Sequence, residues 1–272
     1  MDAFQDRVAV ITGGAAGIGR AMARVFARRG AHLVLADIDE AALADARSEF
    51  EDGGTRVLTV PTDVRERESV FALADATTSH FGGAHIVCNN AGIAPFGPVV
   101  GADPKEWEVT MAINFWGVVH GVDAFVPGIV DRGEGGHIVN TASMAGLTGM
   151  LGLGIYCASK FAVVGFTESL QRELYHRDIG VSVLCPMIVE TGIGENSRRM
   201  LGGPAPSPET VEASSPNALQ GSVIPPEDVA RRVVRAIERK DLYIFTHPEQ
   251  REFLKRHADR QDRMFGADVW NS

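Results

Sequence analysis

One helical turn separates a tyrosine from a lysine near the middle of the chain. Tyr156 and Lys160 fall in a predicted helix that begins near Gly154, so their side chains share one face. An ammonium group beside a phenol favours the phenolate and lowers the tyrosine pKa from its ordinary value of about 10. The spacing predicts a general acid/base, although such a pair taken alone more often belongs to a solvated helix face.

Ser143 lies just after a predicted strand that ends near Thr141. Open α/β sheets bind ligands at the carboxyl ends of their strands, so a serine there could hydrogen-bond a substrate oxygen. By itself a serine after a strand is more often a turn residue.

A glycine-rich loop follows the first predicted strand. Strand 8–12 runs into Thr12-Gly-Gly-Ala-Ala-Gly-Ile-Gly19 and then into a helix. Glycines let a pyrophosphate approach the backbone N–H groups at a helix N-terminus, which predicts a dinucleotide site rather than a plain turn.

Two carboxylates follow the second and third predicted strands. Asp37 could accept hydrogen bonds from ribose hydroxyls and would repel a 2′-phosphate, which favours NAD over NADP. The alternative for Asp37 is to cap the next helix, a role that Asp39 could also fill. Asp63 could contact adenine or cap the helix that follows it.

The surrounding elements alternate in type. Short β-rich runs alternate with amphipathic helical stretches, which predicts an α/β, Rossmann-like, doubly wound parallel sheet of about seven strands with helices on both faces. The predicted strands are 8–12, 32–36, 56–60, 85–88, 137–141, 181–185 and 242–245.

Length and composition favour a single domain over residues 1–272. Within it, residues 187–226 are rich in Gly, Pro and Ser and predict a mobile substrate lid. Residues 249–265 predict a charged helical tail.

A net charge of −9 argues against a nucleic-acid partner, and polar residues and prolines interrupt the long uncharged stretches, which argues against a membrane span. No histidine spacing indicates a metal site. Three cysteines without CxxC spacing and an acidic N-terminus that does not resemble a signal peptide lead us to expect a cytoplasmic protein.

The motifs taken together resemble the short, single-domain branch of the short-chain dehydrogenase/reductase family, over residues 4 to 245. The motifs are TGGAAGIG at 12–19, Asn89-Asn-Ala-Gly92, Asn114, Ser143, Tyr156-Cys-Ala-Ser-Lys160 and Pro186 with Thr191.

The resemblance implies a role for each matching residue. Tyr156 would be the acid/base, Ser143 would position the reacting oxygen, Lys160 would hold the nicotinamide ribose, and Asn114 would hold a water of a proton relay. The implied cofactor contacts are Gly13, Ala16, Gly17, Ile18, Gly19, Asp37, Ile38, Asp63, Val64, Asn90, Ala91, Gly92, Tyr156, Lys160, Pro186, Val189 and Thr191.

The family commonly has glycine where this chain has Met187, which would narrow the pocket or make it more apolar. The expected substrate pocket has no obvious cation, so we expect a bulky hydrophobic small molecule. Its residues are Ala94, Phe96, Ser143, Met144, Leu151, Leu153, Met187 and Ile193.

The sequence thus predicts an NAD-dependent oxidoreductase that interconverts a hydrophobic secondary alcohol and its ketone, with oxidation favoured. The alternatives are an NADP-dependent carbonyl reductase and a catalytically silent NAD-binding scaffold. The resemblance also implies a homotetramer, or a dimer, built from helices around 107–131 and 154–178.

Overall fold

A computed structural model describes residues 4–202 and 221–266 of the chain. One parallel sheet of seven strands runs through it in the order β3-β2-β1-β4-β5-β6-β7. The strands are β1 (Val8–Thr12), β2 (His32–Asp37), β3 (Val57–Pro61), β4 (Ile86–Asn89), β5 (Gly136–Thr141), β6 (Ile179–Cys185) and β7 (Tyr243–Phe245). The predicted fold class is confirmed, and the predicted strand boundaries lie within two residues of these.

Helices connect consecutive strands, as parallel pairing requires. They are α1 (Gly17–Arg28), α2 (Glu40–Asp52), α3 (Arg67–Phe81), α4 (Pro104–Met111), α5 (Gly117–Arg132), α6 (Gly154–Leu174), α7 (Ile193–Leu201), α8 (Pro226–Arg239) and α9 (Arg251–Asp262). A π-helical turn, Ala112–Trp116, joins α4 to α5. The predicted tail corresponds to α9 and its flanking 3-10 turns.

The core has one layer on each face of the sheet. Alternate side chains of β1 point to opposite faces: Ile11 packs with residues of α1 and α8, whereas Val10 packs with residues of α3, α5 and α6. All five residues of β1 are buried, because helices cover both faces. The helices cover both faces of the sheet but leave the carboxyl ends of its strands uncovered, and a site can form there.

The continuous helical stretch Pro104–Arg132 is apolar and long enough to cross a membrane by composition alone. However, 56% of its most apolar window is buried inside the protein, as is typical of a core helix. We therefore assign it to the core.

The predicted lid is described only in part. Residues 187–202 include α7, residues 221–226 lead into α8, and residues 203–220 lie outside the described residues. The two described ends pair with each other, because Val189 and Ile224 form a parallel β-bridge.

Candidate active site

A cavity of about 930 Å³ lies at the carboxyl ends of the strands. β1 lies between β2 and β4, so the chain order reverses at β1, where open α/β folds place ligands. The structure brings most of the predicted site residues to this one cavity. They are Gly13, Ala16, Gly17, Ile18, Asp37, Ile38, Asp63, Val64, Asn90, Ala91, Gly92, Ala94, Ser143, Leu153, Tyr156, Lys160, Pro186, Met187, Val189, Thr191 and Ile193.

The glycine loop forms one end of the cavity. Gly13 and Gly17 both have positive φ, at 62° and 50°. Gly19 does not line the cavity; a Cβ built on it would lie 2.0 Å from the Gly13 carbonyl oxygen. Its role is therefore close packing of α1 against the loop rather than cofactor contact.

The end of β4 braces the loop. The Asn90 side-chain amide donates to the Thr12 carbonyl at 3.1 Å, and the Thr12 hydroxyl accepts from the Asn90 N–H at 2.9 Å. The N-cap residue of α1, Ala16, has no side chain able to cap the first N–H groups of the helix. Those groups can therefore receive an anion.

Asp37 organises the next part of the cavity. One carboxylate oxygen accepts from the Ala15 N–H at 3.2 Å and the other from the Asp39 N–H at 3.1 Å. The cap of α2 is Asp39, whose carboxylate accepts from the Ala42 N–H at 3.0 Å. Asp37 therefore does not serve as the cap and reaches the cavity wall.

Asp63 lines the cavity but is already paired. The Arg65 guanidinium donates to both of its carboxylate oxygens, with contacts of 2.5 to 3.0 Å. Hydrogen bonds from the Arg65 side chain hold the pKa of Asp63 below its ordinary value. An adenine contact from Asp63 would have to share this carboxylate with Arg65, a pairing that the sequence analysis missed although only one residue separates the two.

Ser143, Tyr156 and Lys160 meet at the other end of the cavity. Ser143 follows β5, and its hydroxyl accepts from the Ala145 N–H at 3.2 Å. Tyr156 is in the first turn of α6, and Lys160 lies one turn later with its ammonium 5.7 Å from the centre of the Tyr156 ring. The Lys160 ammonium donates to the Thr141 carbonyl at 2.9 Å. β5 and α6 thus bring the three predicted groups together.

Burial dominates the protonation of this cluster. It raises the pKa of Tyr156 to about 12, and the hydrogen bond with Ser143 acts in the opposite direction. Burial also lowers the pKa of Lys160 to about 8. The protein groups alone therefore raise the pKa of Tyr156 rather than lower it as expected from Lys160, because desolvation of the buried phenol dominates.

Asn114 lies behind this cluster, in the π-helical turn, and does not line the cavity. Its side-chain oxygen accepts from the Ile93 N–H and its amide nitrogen donates to the Ile93 carbonyl, each at 2.9 Å. The amide nitrogen also donates to the Ser159 hydroxyl at 3.0 Å. Asn114 thus joins the loop after β4 to α6, while its predicted water contact stays a prediction.

Three residues predicted for the substrate pocket do not line the cavity. Met144 is 1% exposed and packs in the core against Val118 and Val163. Leu151 is 67% exposed, and Phe96 is 37% exposed with its ring next to Gly152. The positions of these residues after β4 and β5 could be read from the sequence, but the direction of each side chain could not.

The cavity also contains a cation that the sequence analysis missed. Arg199, from α7, lines it together with Asn196 and Met200. The residues named for the substrate pocket include no Arg or Lys, but the cavity as a whole contains Arg199 in addition to Lys160. The signal was an Arg198-Arg199 pair on a short amphipathic helix just after Thr191.

The residues present fit a nicotinamide dinucleotide. The loop offers open N–H groups and too little room at Gly13 for a side chain, since a Cβ there would lie 3.0 Å from the Ala91 Cα. Asp37 supplies a ribose acceptor, and Tyr156 and Lys160 lie at the far end. The arrangement can bind an anionic dinucleotide along one wall and transfer a proton at the other end.

Comparisons with known proteins agree with this geometry. Residues 7–202 match the family model for short chain dehydrogenase. The chain is 34% identical over 275 residues to 1-deoxy-11-beta-hydroxypentalenate dehydrogenase of Streptomyces exfoliatus, covering 98% of this chain and 90% of that protein.

Solved structures of two relatives contain different cofactors. A short-chain dehydrogenase/reductase from Burkholderia phymatum in complex with NAD is 38% identical, with a TM-score of 0.88 and coverage of 97% of each chain. L-sorbose reductase from Gluconobacter frateurii, complexed with NADPH and L-sorbose, is 30% identical with a TM-score of 0.77, covering 90% of this chain and 97% of that one. The chain belongs to the short-chain dehydrogenase/reductase family of oxidoreductases.

Proposed function

We propose that this oxidoreductase uses NAD to interconvert a bulky hydrophobic secondary alcohol and its ketone. The observation that carries the proposal is the placement of Ser143, Tyr156 and Lys160 at one end of a cavity whose other end holds the glycine loop and Asp37. Because Ser143, Tyr156 and Lys160 line the same cavity as the glycine loop and Asp37, we disfavour the silent-scaffold alternative.

The protein groups handle the proton and the orientation of the substrate. A bound nicotinamide supplies or accepts the hydride. The raised pKa keeps Tyr156 protonated near neutral pH, so in reduction its phenol can donate a proton to the carbonyl oxygen. In oxidation the phenol must first lose its proton to solvent, and the phenolate then accepts the proton of the substrate hydroxyl. Ser143 positions that oxygen, and the positive charge of Lys160 favours the ionised tyrosine.

Asp37 supports the choice of NAD. Its carboxylate lies at the cavity wall where β2 ends, and repulsion of a 2′-phosphate about 4 Å away amounts to about 1–4 kcal/mol at high effective dielectric. Arg199 supports the alternative, an NADP-dependent carbonyl reductase, because it also lines the cavity, although its guanidinium is already paired with Asp39. The NADPH complex of a relative, L-sorbose reductase, also supports this alternative.

The lining near the Tyr156 end supports a hydrophobic substrate. Ala94, Met150 and Leu153 pack around Tyr156. Met187 and Ile193 add apolar side chains to the lining of the same cavity. The name of the Streptomyces relative, a hydroxypentalenate dehydrogenase, is in keeping with a bulky alcohol substrate. The apolar wall would stabilise rings or branched chains by excluding water.

Exposed aromatic side chains support the proposed homo-oligomer. Trp116 in the π-helical turn and Phe161 in α6 are 51% and 43% exposed. They belong to the two helical regions that the resemblance implies as the interface, and burying them in a partner would be favourable.

Tyr156→Phe tests the reaction. With a panel of hydrophobic secondary alcohols and NAD, we expect the wild type to reduce NAD and the variant to lose at least about a hundredfold in kcat, the lower range for a lost acid/base. Calorimetry should show NAD binding to both proteins. Equal turnover by the variant would contradict the role of Tyr156, and NAD binding without turnover of any alcohol or ketone would favour the scaffold.

Asp37→Asn tests the preference for NAD over NADP. The amide oxygen can still accept from the Ala15 N–H, while the negative charge is removed. We expect kcat/KM for NADP to rise about tenfold or more relative to that for NAD. A wild type that already prefers NADP would overturn the NAD assignment and support the carbonyl reductase.

A further inference from the structure

The helix α7 is attached to two separate walls of the cavity. At one side, the buried Ser197 hydroxyl accepts from the Ala94 N–H at 2.8 Å and donates to the Ile193 carbonyl at 2.6 Å. This contact holds α7 to the loop that follows β4.

At the other side, α7 reaches the loop that follows β2. The Arg199 guanidinium lies 3.2 Å from the Asp39 carboxylate and also donates to the Asn196 side-chain oxygen at 2.7 Å. Both partners of the ion pair remain partly exposed, with side-chain exposures of 64% for Arg199 and 34% for Asp39.

The strand order shows what lies between these two attachments. β2 and β4 are separated in the sheet only by β1, so a helix tied to the loops after β2 and β4 must cross the end of β1. The glycine loop follows β1 directly, so α7 crosses the part of the cavity that the glycine loop lines.

We propose that the Arg199–Asp39 ion pair holds α7 across the mouth of the cavity and slows the release of the bound dinucleotide. Arg199 is thus a positioning residue for α7 and takes no part in the proton or hydride transfer. The inference rests on the proposed function only in that it requires a nicotinamide dinucleotide in this cavity.

The expected size of the effect follows from the exposure of the pair. Partly exposed ion pairs contribute modestly, so breaking this one should accelerate dinucleotide release about two- to fivefold. Salt screens such pairs, so the wild-type release rate should rise between about 20 mM and about 500 mM salt, whereas a variant without the pair should respond less.

Release can be measured without any alcohol or ketone. Protein loaded with NADH, or with NADPH if that binds more tightly, is mixed with excess oxidised cofactor in a stopped-flow instrument, and the loss of fluorescence of the bound reduced cofactor is followed. The test variants are Arg199→Gln and Asp39→Asn. Asparagine is as good a helix cap as aspartate, so α2 keeps its cap while the ion pair is lost.

Arg198→Gln is the matched control. Arg198 is the exposed neighbour of Arg199 on the same helix and makes no ion pair with any residue in 4–202 or 221–266. We expect the control to release NADH at the wild-type rate, and the double variant Arg199→Gln/Asp39→Asn to release it no faster than either single variant, because both substitutions break the same contact.

The outcomes separate the two proposals. Release from Arg199→Gln at the rate of the wild type or of Arg198→Gln would overturn the role of the ion pair and leave the proposed function intact. Additive effects of the two single substitutions would also overturn it, since each residue would then act separately. A wild type that binds neither NADH nor NADPH would overturn the dinucleotide site and this inference with it.

Discussion

The Lys160 ammonium donates to a backbone carbonyl in a fully buried position, which is an unusual place for a charge. Burial lowers its pKa to about 8, against about 10.4 in an unfolded chain. The folded state therefore binds fewer protons than the unfolded state between these two pKa values. The free energy of unfolding should therefore be highest above pH about 10.4, where Lys160 is neutral in both states, and should fall as the pH is lowered to about 8.

Lys160→Met tests this linkage. Between pH 7 and 9.5 we expect the free energy of unfolding of the wild type to rise by about 2 kcal/mol relative to that of the variant, measured by urea unfolding. Methionine keeps most of the side-chain volume and does not titrate. Parallel pH profiles for the two proteins would show that Lys160 keeps its ordinary pKa in the fold.

Burying Lys160 also lowers the stability of the fold. A charged lysine at neutral pH must be desolvated without a carboxylate partner, and only the Thr141 carbonyl is within hydrogen-bond distance in the described residues. The lysine is therefore better explained by the chemistry at Tyr156 than by stability.

At the scale of elements, the turn from β1 into α1 requires glycine at position 19, because there is no room there for a side chain. A Cβ on Gly19 would lie 2.0 Å from the Gly13 carbonyl oxygen and 2.9 Å from the Asn90 side-chain nitrogen. The nearest of these atoms is backbone, which cannot move without distorting the loop.

Gly19→Ala should therefore weaken NAD binding severely and destabilise the protein by about 1–3 kcal/mol, as overpacking does. Calorimetry and thermal unfolding measure the two effects. Gly128→Ala is a suitable control, because Gly128 is exposed on α5 and a Cβ there meets nothing closer than 3.8 Å. In that helix, alanine should stabilise by about 0.5–1 kcal/mol. Wild-type NAD affinity in Gly19→Ala would show that the loop tolerates a side chain.

At the scale of the whole molecule, a histidine inside the sheet limits tolerance to acid. His137 of β5 is buried, with its Nε2 2.7 Å from the Ser182 hydroxyl and its Nδ1 without a hydrogen-bond partner among the described residues. Burial lowers its pKa to about 3. Since an unfolded histidine titrates near 6.5, stability is fully present above that pH and lost as pH falls toward 3.

We expect the free energy of unfolding to fall by about 1.5–2 kcal/mol from pH 6.5 to pH 5 through His137. Denaturant unfolding of the wild type and of His137→Gln measures this, because the variant should lack that part of the slope. His176→Gln, at an exposed position after α6, should retain the wild-type slope. An unchanged slope in His137→Gln would assign the acid sensitivity to other groups.

The alternation of elements, the glycine loop and the Tyr156–Lys160 spacing could all be predicted from the sequence. Each depends on residue type and on periodicity along a few turns of chain, and a parallel sheet then brings the strand ends to one edge. That is why most of the predicted cofactor residues do line the cavity. Gly19 was recognised as part of the motif, although its role is packing.

Only the tertiary structure decided the rest. The pairing of Arg199 with Asp39 joins residues 160 positions apart, and no local pattern indicates it. Whether Met144 faces the core or the cavity depends on how β5 and α6 pack together. The pKa values of Tyr156 and Lys160 depend on how completely other parts of the chain exclude water from them, and burial is a property of the whole fold rather than of any segment.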